Sequence, residues 1–203
     1  MKNDRKVGIM GGTFNPIHNG HLMLAQCAQE QIGLDKVLFM PSGNSYMKKN
    51  VLATQKRVDM VQLAIEDKPD FELSLIEVQK SGNTYTCETL ETLTNKNPNI
   101  HYYFIIGADS LFQIEQWRCP ERIFALCTLV CAVRDDYDFK AIKEKGSNLA
   151  QCGADILYLN MPKVEISSSD IRKKVMDNLP IIEYVPLKVA KYIKEERLYH
   201  EED

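Results

Sequence analysis

Short apolar segments alternate with longer amphipathic segments along most of the chain. The short segments are rich in β-branched and aromatic residues, which is typical of strands, whereas the longer ones repeat apolar residues three and four positions apart, which is typical of helices. Predicted strands lie at residues 6–11, 37–40, 71–78, 102–106, 126–133 and 156–159. Predicted helices lie at residues 20–32, 54–66, 86–94, 109–115, 139–151, 168–177 and 186–196.

This alternation predicts an α/β fold with a doubly wound, mostly parallel sheet and helices on both faces. The segments 102–106 and 126–133 are apolar throughout, as in strands buried on both faces. Since we find no repeat or linker, we predict a single domain over residues 1–203, with a C-terminal helical part from about residue 166. Such sheets bind ligands at the carboxyl ends of their strands, so the residues that follow the strands are the candidates for function.

The composition adds several exclusions. With 44% hydrophobic and 26% charged residues the chain is not disordered, and its net charge of -3 supplies no positive field for nucleic acid or a membrane surface. We therefore expect neither partner. The apolar run at residues 124–133 is shorter than the ~20 residues of a membrane span, and the N-terminal run at residues 7–10 is too short for a signal peptide. The six cysteines form no CxxC pair, so we interpret them as reduced thiols of a cytoplasmic protein rather than as a disulfide set.

The loop after the first predicted strand reads GGTFNPIHNGH at residues 11–21. Two glycines leave the main chain open to a phosphate, and Asn19 is a candidate N-cap for the helix that follows, whose free amides and dipole attract anions. His18 and His21 flank this helix start, where both imidazoles can meet one phosphate. The loop predicts an anion site formed by the two histidines with Gly11, Gly12, Thr13 and Phe14.

This loop has two other interpretations. The glycines could form only a tight turn with surface or capping histidines, or the histidines could be a zinc pair. Two of the four histidines in the chain lie beside this double glycine, which favours phosphate, and no Cys or further His lies nearby to complete a zinc site. We therefore predict no protein-bound metal. The motif GxGxxG is absent after the first strand, which disfavours a Rossmann-type dehydrogenase.

A second candidate phosphate site is the segment ISSSDIR at residues 166–172. Ser168 and Ser169 can offer hydroxyls and free amides at a helix start, and Arg172, one turn later, presents a two-pronged fork to phosphate oxygens. The alternative is an ordinary helix cap with a solvent-exposed arginine.

These motifs carry a family resemblance. The HxGH core of residues 11–21 resembles the signature of the nucleotidyltransferase superfamily that joins a nucleoside triphosphate to a phosphate monoester, and ISSSDIR resembles its second signature, ISSTxIR. Within that superfamily, further segments look like the bacterial nicotinate mononucleotide adenylyltransferase family, and the likeness covers residues 6–199. These segments are GNTYTCETL at 82–90, IGADSL at 106–111 with Trp117, and residues 130–134.

The chain departs from that family's pattern at two places. The family usually has Asp at the position of Asn15, and usually Pro-Pro-His-Lys where this chain reads Ser45-Tyr46-Met47-Lys48. The first change keeps the size and a hydrogen-bonding head but removes a charge.

The resemblance implies a Rossmann-like nucleotidyltransferase fold and an enzyme of NAD biosynthesis that transfers the adenylyl group of ATP to nicotinate mononucleotide. It assigns catalysis to His18, His21 and Arg172. It assigns ATP and phosphate binding to the first loop and to Gly107, Asp109, Ser168, Ser169 and Arg134. It assigns mononucleotide binding to Lys48, Tyr85, Thr86 and Trp117. Mg²⁺ is expected to bind with ATP, held mainly by phosphates and water.

Several alternatives stay open. Asp109 could instead cap a helix, Lys48 could be a solvated surface residue and Trp117 a packing residue. The substrate could be nicotinamide mononucleotide or phosphopantetheine, although phosphopantetheine adenylyltransferases are usually shorter and lack the segments around residues 82–90 and 106–117. Glycerol-phosphate-type cytidylyltransferases also contain HxGH, but their second signature differs from ISSSDIR. A protein that binds nucleotides as a sensor, without catalysis, is an alternative from another functional class. The sequence leaves the oligomeric state open, a homo-oligomer included.

Overall fold

The computed structural model describes residues 5–43, 51–133, 139–162 and 166–200. Its strands within these ranges are β1 (Arg5–Gly12), β2 (Lys36–Pro41), β3 (Phe71–Leu73), β4 (Ile100–Gly107), β5 (Cys127–Val133) and β6 (Asp155–Asn160). Every neighbouring pair is parallel, and the order across the sheet is β3-β2-β1-β4-β5-β6. The prediction of a doubly wound parallel α/β sheet is confirmed.

The helices fill the connections between the strands. They are α1 (Asn19–Ile32), α2 (Thr54–Ile65), α3 (Thr86–Lys96), α4 (Ala108–Gln113), α5 (Pro120–Leu126), α6 (Phe139–Gln151), α7 (Ser168–Met176) and α8 (Leu187–Glu195). A 3₁₀ turn, Ile114–Gln116, directly follows α4.

Side chains of the central strands alternate between two hydrophobic cores. On β4, Ile105 points into a core shared with α1, α2, α7 and α8, whereas Phe104 and Ile106 point into a core shared with α3, α4, α5 and α6. Both faces of the strand are therefore buried, which explains why its sequence is continuously apolar and does not alternate between apolar and polar residues.

None of the described helices is long and apolar enough to cross a membrane. All six cysteines fall within the described ranges and are free thiols. Cys87, Cys127 and Cys131 are buried, whereas Cys152 is exposed.

One predicted strand was too long, and one helix was missed. Strand β3 ends at Leu73 rather than at residue 78. After one more hydrogen bond, from Ser74 N to Phe39 O at 2.8 Å, the next position opposite on β2 approaches Pro41, which has no N–H to continue the ladder. The pattern also missed α5, which is short, begins at Pro120 and runs directly into β5.

The order of the strands reverses between β1 and β4, because β2 follows on one side of β1 and β4 lies on the other. Loops leaving the carboxyl ends of these two strands diverge to opposite faces and open a crevice between them. The loop of residues 13–18 starts at this point, as does α4.

Candidate active site

A cavity of about 600 Å³ opens at this reversal, a size typical of sites for small ligands. Its walls come from the first loop, the start of α3, the segment after α4 and the start of α7. Predicted site residues that line it are Gly11, Gly12, Thr13, Phe14, His21, Tyr85, Thr86, Trp117, Ser168, Ser169 and Arg172. The fold therefore brings residues from distant parts of the sequence into one site.

The double glycine opens the main chain to the cavity. A Cβ on Gly11 would meet Phe104 at 3.5 Å, an ordinary contact, so packing alone does not demand glycine there. A Cβ on Gly12 would approach the Phe14 ring at 3.1 Å, which is tight because that ring is 2% exposed. Phe14 itself has a φ of 50°, and its ring packs edge-on to His21 with centroids 5.1 Å apart.

The predicted N-cap of α1 was wrong by one residue. His18, not Asn19, caps the helix, and the His21 imidazole accepts from the His18 backbone. Asn19 is instead the first helical residue: its backbone N–H donates to Tyr184 O at 2.8 Å and its side-chain amide to Glu183 O at 3.1 Å. The segment before α8 therefore supplies acceptors that Asn19 uses in place of a capping bond.

The start of α7 is bonded directly to the first loop. Ser167 caps the helix by accepting from Asp170 N at 3.1 Å, and Ser168 Oγ donates to Pro16 O at 2.9 Å. Arg172 donates to Asn15 O at 2.8 Å and to Ser169 Oγ at 3.2 Å. The two predicted phosphate sites thus form one continuous surface.

Aromatic residues line another part of the cavity. Tyr85 is the N-cap of α3, and Trp117 stands edge-on to Phe104 with ring centroids 6.2 Å apart. The indole N–H of Trp117 is buried, with no hydrogen-bond partner among the described residues. Arg118 lies over the Tyr85 ring, with its guanidinium carbon 4.4 Å from the centroid.

Glu77 is a cavity residue that the sequence analysis missed. It accepts a hydrogen bond from Thr89 Oγ1 at 3.0 Å, and burial raises its pKa above the ordinary value of a glutamate. Its main-chain oxygen lies so close to Gly43 that a Cβ there would be 2.3 Å away. No motif marked Glu77, because the predicted strand at residues 71–78 was wrongly extended over it.

Arg57 is a second missed residue and holds the loops around the site. Its side chain is 2% exposed and donates to Thr13 O at 2.8 Å, Ser42 O at 2.9 Å and Leu52 O at 3.0 Å. Burial lowers the pKa of this guanidinium. The sequence does contain a signal for Arg57, because this charged residue stands next to Val58 on the apolar face of α2.

The C-terminal segment also reaches the first loop. Asn15 is 7% exposed, and its Oδ1 accepts a hydrogen bond from the Tyr199 hydroxyl at 2.9 Å. A neutral amide at this position satisfies the hydroxyl without placing an additional charge in the core.

Other predicted site residues do not line the cavity. His18 is 6% exposed and lies behind His21, Gly107 is the N-cap of α4, and Asp109 is exposed in the first turn of α4. Lys48 and Arg134 lie outside the described residues, as do Ser45, Tyr46 and Met47. Roles for these residues stay predictions.

Comparison with known proteins decides the family. Residues 9–174 match the cytidylyltransferase-like family. A protein of Lachnoclostridium phytofermentans named as a probable nicotinate-nucleotide adenylyltransferase is 42% identical over 96% of this chain and 99% of its own length. One of Dehalococcoides mccartyi with the same name is 41% identical over 96% of this chain and 97% of its own length. The chain belongs to the nicotinate-nucleotide adenylyltransferase family.

Solved structures support the same fold for this family member. The nicotinic acid mononucleotide adenylyltransferase of Plasmodium falciparum, complexed with NaAD, superposes with a TM-score of 0.82. The match covers 97% of this chain and 98% of that one, at 22% identity. Despite that low identity the whole architecture is shared, which confirms the predicted Rossmann-like nucleotidyltransferase fold.

Proposed function

We propose that this chain transfers the adenylyl group of ATP to nicotinate mononucleotide, giving nicotinate adenine dinucleotide and pyrophosphate in NAD biosynthesis. The observation that carries the proposal is the union, in one cavity, of a phosphate-binding surface around His21 and Arg172 with an aromatic wall containing Trp117. Full-length relatives bearing the name of this activity support it.

The proposed reaction needs no nucleophile from the protein. A 5′-phosphate oxygen of the mononucleotide attacks the α-phosphorus of ATP, the bond from that phosphorus to the bridging oxygen of the β-phosphate breaks, and pyrophosphate leaves. Catalysis of this kind depends on positioning and on stabilising the charge that grows on the phosphate oxygens. Donors available for this in the cavity are His21, Ser168, Ser169, Arg172 and the main chain of the first loop.

We assign the triphosphate to the surface shared by the first loop and α7. Arg172 is already fixed there by Asn15 O and Ser169 Oγ, so its cation is placed without loss of conformational freedom on binding. His18 is assigned a role through its ring, which stacks on His21 with centroids 3.7 Å apart. Gly107 and Asp109, near the carboxyl end of β4, are retained as proposed ATP contacts. Arg134, which lies outside the described residues, is retained as a proposed contact as well.

A divalent metal ion belongs to this chemistry as a companion of the nucleotide, and we propose Mg²⁺. No group of three or more His, Cys, Asp or Glu side chains that could hold a metal occurs in the described ranges. We expect the ion to be coordinated mainly by triphosphate oxygens and water, as Mg²⁺ commonly is in nucleotide sites. Its charge would offset that of the departing pyrophosphate.

The mononucleotide is assigned to the aromatic wall. Trp117 offers a stacking surface for the pyridine ring, and the N-terminus of α3 at Tyr85 and Thr86 offers main-chain amides and a positive dipole to its carboxylate. A neutral carboxamide gains less from that dipole, which favours nicotinate over nicotinamide. Lys48 is proposed as a contact to the mononucleotide.

The test is a measurement of pyrophosphate release from the purified chain with ATP and Mg²⁺. Nicotinate mononucleotide, nicotinamide mononucleotide and 4′-phosphopantetheine are supplied separately, with CTP replacing ATP in a further arm. We expect rapid release with ATP and nicotinate mononucleotide. Preferred use of phosphopantetheine, preferred use of CTP, or no turnover of any mononucleotide would overturn the proposal.

A further inference from the structure

Arg118 is a charged residue at the cavity wall for which the proposed reaction has no role so far. Its side chain is 53% exposed, and one of its guanidinium nitrogens lies 3.7 Å from Glu88 Oε1. The guanidinium also lies over the ring of Tyr85, the N-cap of α3, 4.4 Å from the centroid. Arg118 therefore stands at the helix start to which the substrate carboxylate is assigned.

The contact with Tyr85 fixes the guanidinium through the ring and through a side-chain hydrogen bond, and it leaves the rest of the five N–H donors of Arg118 for a ligand. A guanidinium stacks on an aromatic ring through its flat face, while its N–H groups point outward in the plane of the fork. By contrast, Arg172 already donates to Asn15 O and Ser169 Oγ. Arg118 is thus a cation with a fixed position, and it has N–H donors for an anion that binds at this wall of the cavity.

The charges around the cavity favour the same conclusion. Of the described lining residues, the charged side chains of Asp, Glu, Lys and Arg are Glu77, Arg118 and Arg172. Arg172 is held on the first loop, so Arg118 is the cation that accompanies Trp117 and Tyr85.

We infer that Arg118 is a specificity-determining residue whose guanidinium binds the carboxylate on the pyridine ring and so selects an acidic mononucleotide over its neutral amide. The inference rests on the proposed function and deepens it. A carboxylate accepts from the fork and neutralises its charge, whereas a carboxamide offers one neutral acceptor and an NH₂ group that cannot pair with a donor.

Glu88 partly offsets the positive charge of Arg118. Its carboxylate is shared between Lys80 and Arg118, so it partly neutralises the cation before substrate arrives. Removing that carboxylate should strengthen the attraction of Arg118 for an anionic substituent. This makes Glu88→Gln a variant with an effect opposite to that of removing the arginine.

The experiment compares kcat/KM for nicotinate and nicotinamide mononucleotide in Arg118→Gln, Arg118→Lys and Glu88→Gln. Arg122→Gln is the matched control, because Arg122 is an exposed arginine four residues further on that pairs with Glu91 and does not line the cavity. Circular dichroism and thermal unfolding of each variant show that the fold is kept.

In Arg118→Gln we expect the ratio of the two kcat/KM values to fall about tenfold, the usual scale of a lost hydrogen bond to a charged group. Arg118→Lys should keep only part of the ratio, because lysine retains the charge but not the two-pronged fork. Glu88→Gln should raise the ratio about twofold, and Arg122→Gln should leave it unchanged. In the double variant Arg118→Gln/Glu88→Gln the ratio should not rise above that of Arg118→Gln, because Glu88→Gln acts only through the charge of Arg118.

An Arg118→Gln enzyme whose two kcat/KM values fall equally would overturn the inference, since the arginine would then contact a group common to both substrates, such as the 5′-phosphate. An unchanged ratio with unchanged rates would overturn it as well. Failure of the wild-type chain to use either mononucleotide would instead refute the proposed function, so the two failures are distinguishable.

Discussion

The backbone N–H of His18 donates to Nδ1 of His21 at 3.2 Å, and the two imidazole rings stack with centroids 3.7 Å apart. A nitrogen that accepts a hydrogen bond carries no proton, so neutral His21 has its proton on Nε2. The helix cap therefore sets the tautomer of His21, whose ring lines the cavity. In that tautomer His21 can donate to a phosphate oxygen from Nε2.

Replacing either histidine by alanine should reduce kcat by about 10²–10³, the usual loss when one donor to transition-state charge is removed. His21→Ala should also lower the free energy of unfolding by about 1 kcal/mol, since it removes the imidazole that accepts from the His18 backbone at the helix start. Steady-state kinetics and urea unfolding measure the two effects. His101→Ala is the control, because His101 is hydrogen-bonded to Thr128 at the other end of β4. Normal turnover in both folded variants would show that the first loop is not the catalytic site.

Arg172→Lys should reduce kcat/KM for ATP by at least about tenfold. The guanidinium reaches both Asn15 O and Ser169 Oγ, and a lysine ammonium cannot reproduce that two-pronged geometry. Lys173→Gln, an exposed change on the same helix, is the control. Unaltered ATP kinetics in Arg172→Lys would show that the segment at residues 166–172 serves only as a helix cap.

Trp117→Ala should weaken the use of both pyridine mononucleotides by about 1–3 kcal/mol, the scale of one lost ring stack. The two pyridine rings have similar faces, so the ratio of the two kcat/KM values should change little. Trp117→Phe should recover much of the loss.

In the wild-type chain we expect nicotinate mononucleotide to be used at least ~100-fold more efficiently than nicotinamide mononucleotide, which equals ~2.7 kcal/mol. Similar kcat/KM values for the two substrates in the wild-type chain would refute this preference while leaving adenylyl transfer intact.

Glu77→Gln should raise the free energy of unfolding at pH 7, within the range of about 0.5–2 kcal/mol usual for single stabilising changes. Burial raises the pKa of Glu77, so the folded protein binds this proton more tightly than the unfolded chain does. The wild-type stability owed to it is complete below the unfolded pKa of about 4.3 and is lost as pH rises through the folded pKa.

The glutamine variant has no such proton, so its advantage should be full at pH 7 and disappear near pH 4. Urea unfolding at a series of pH values, without substrate, measures this difference. Glu195→Gln, at an exposed position on α8, is the control. A pH-independent difference between Glu77→Gln and the wild type would contradict the assigned cause.

Most of the fold could be predicted because its signals are local. The apolar run of β4 shows both-face burial directly in the sequence, and α6 has the predicted bounds, Phe139–Gln151. Errors arose where a distant partner decides the outcome. The alternation of Phe71, Leu73 and Leu75 is a valid strand pattern, yet the strand ends because its neighbour ends in Pro41.

By itself, the sequence determined most of the strands and helices, the parallel arrangement of the sheet and the two motifs that we predict to bind phosphate, because each depends on residues close together in the chain. Tertiary structure decided how those motifs act together. Only packing brings Arg172 to the carbonyl of Asn15, buries the guanidinium of Arg57 among the carbonyls of the loops and sets Arg118 over Tyr85. These contacts join residues far apart in sequence, and no local pattern of polarity specifies which distant surfaces will meet.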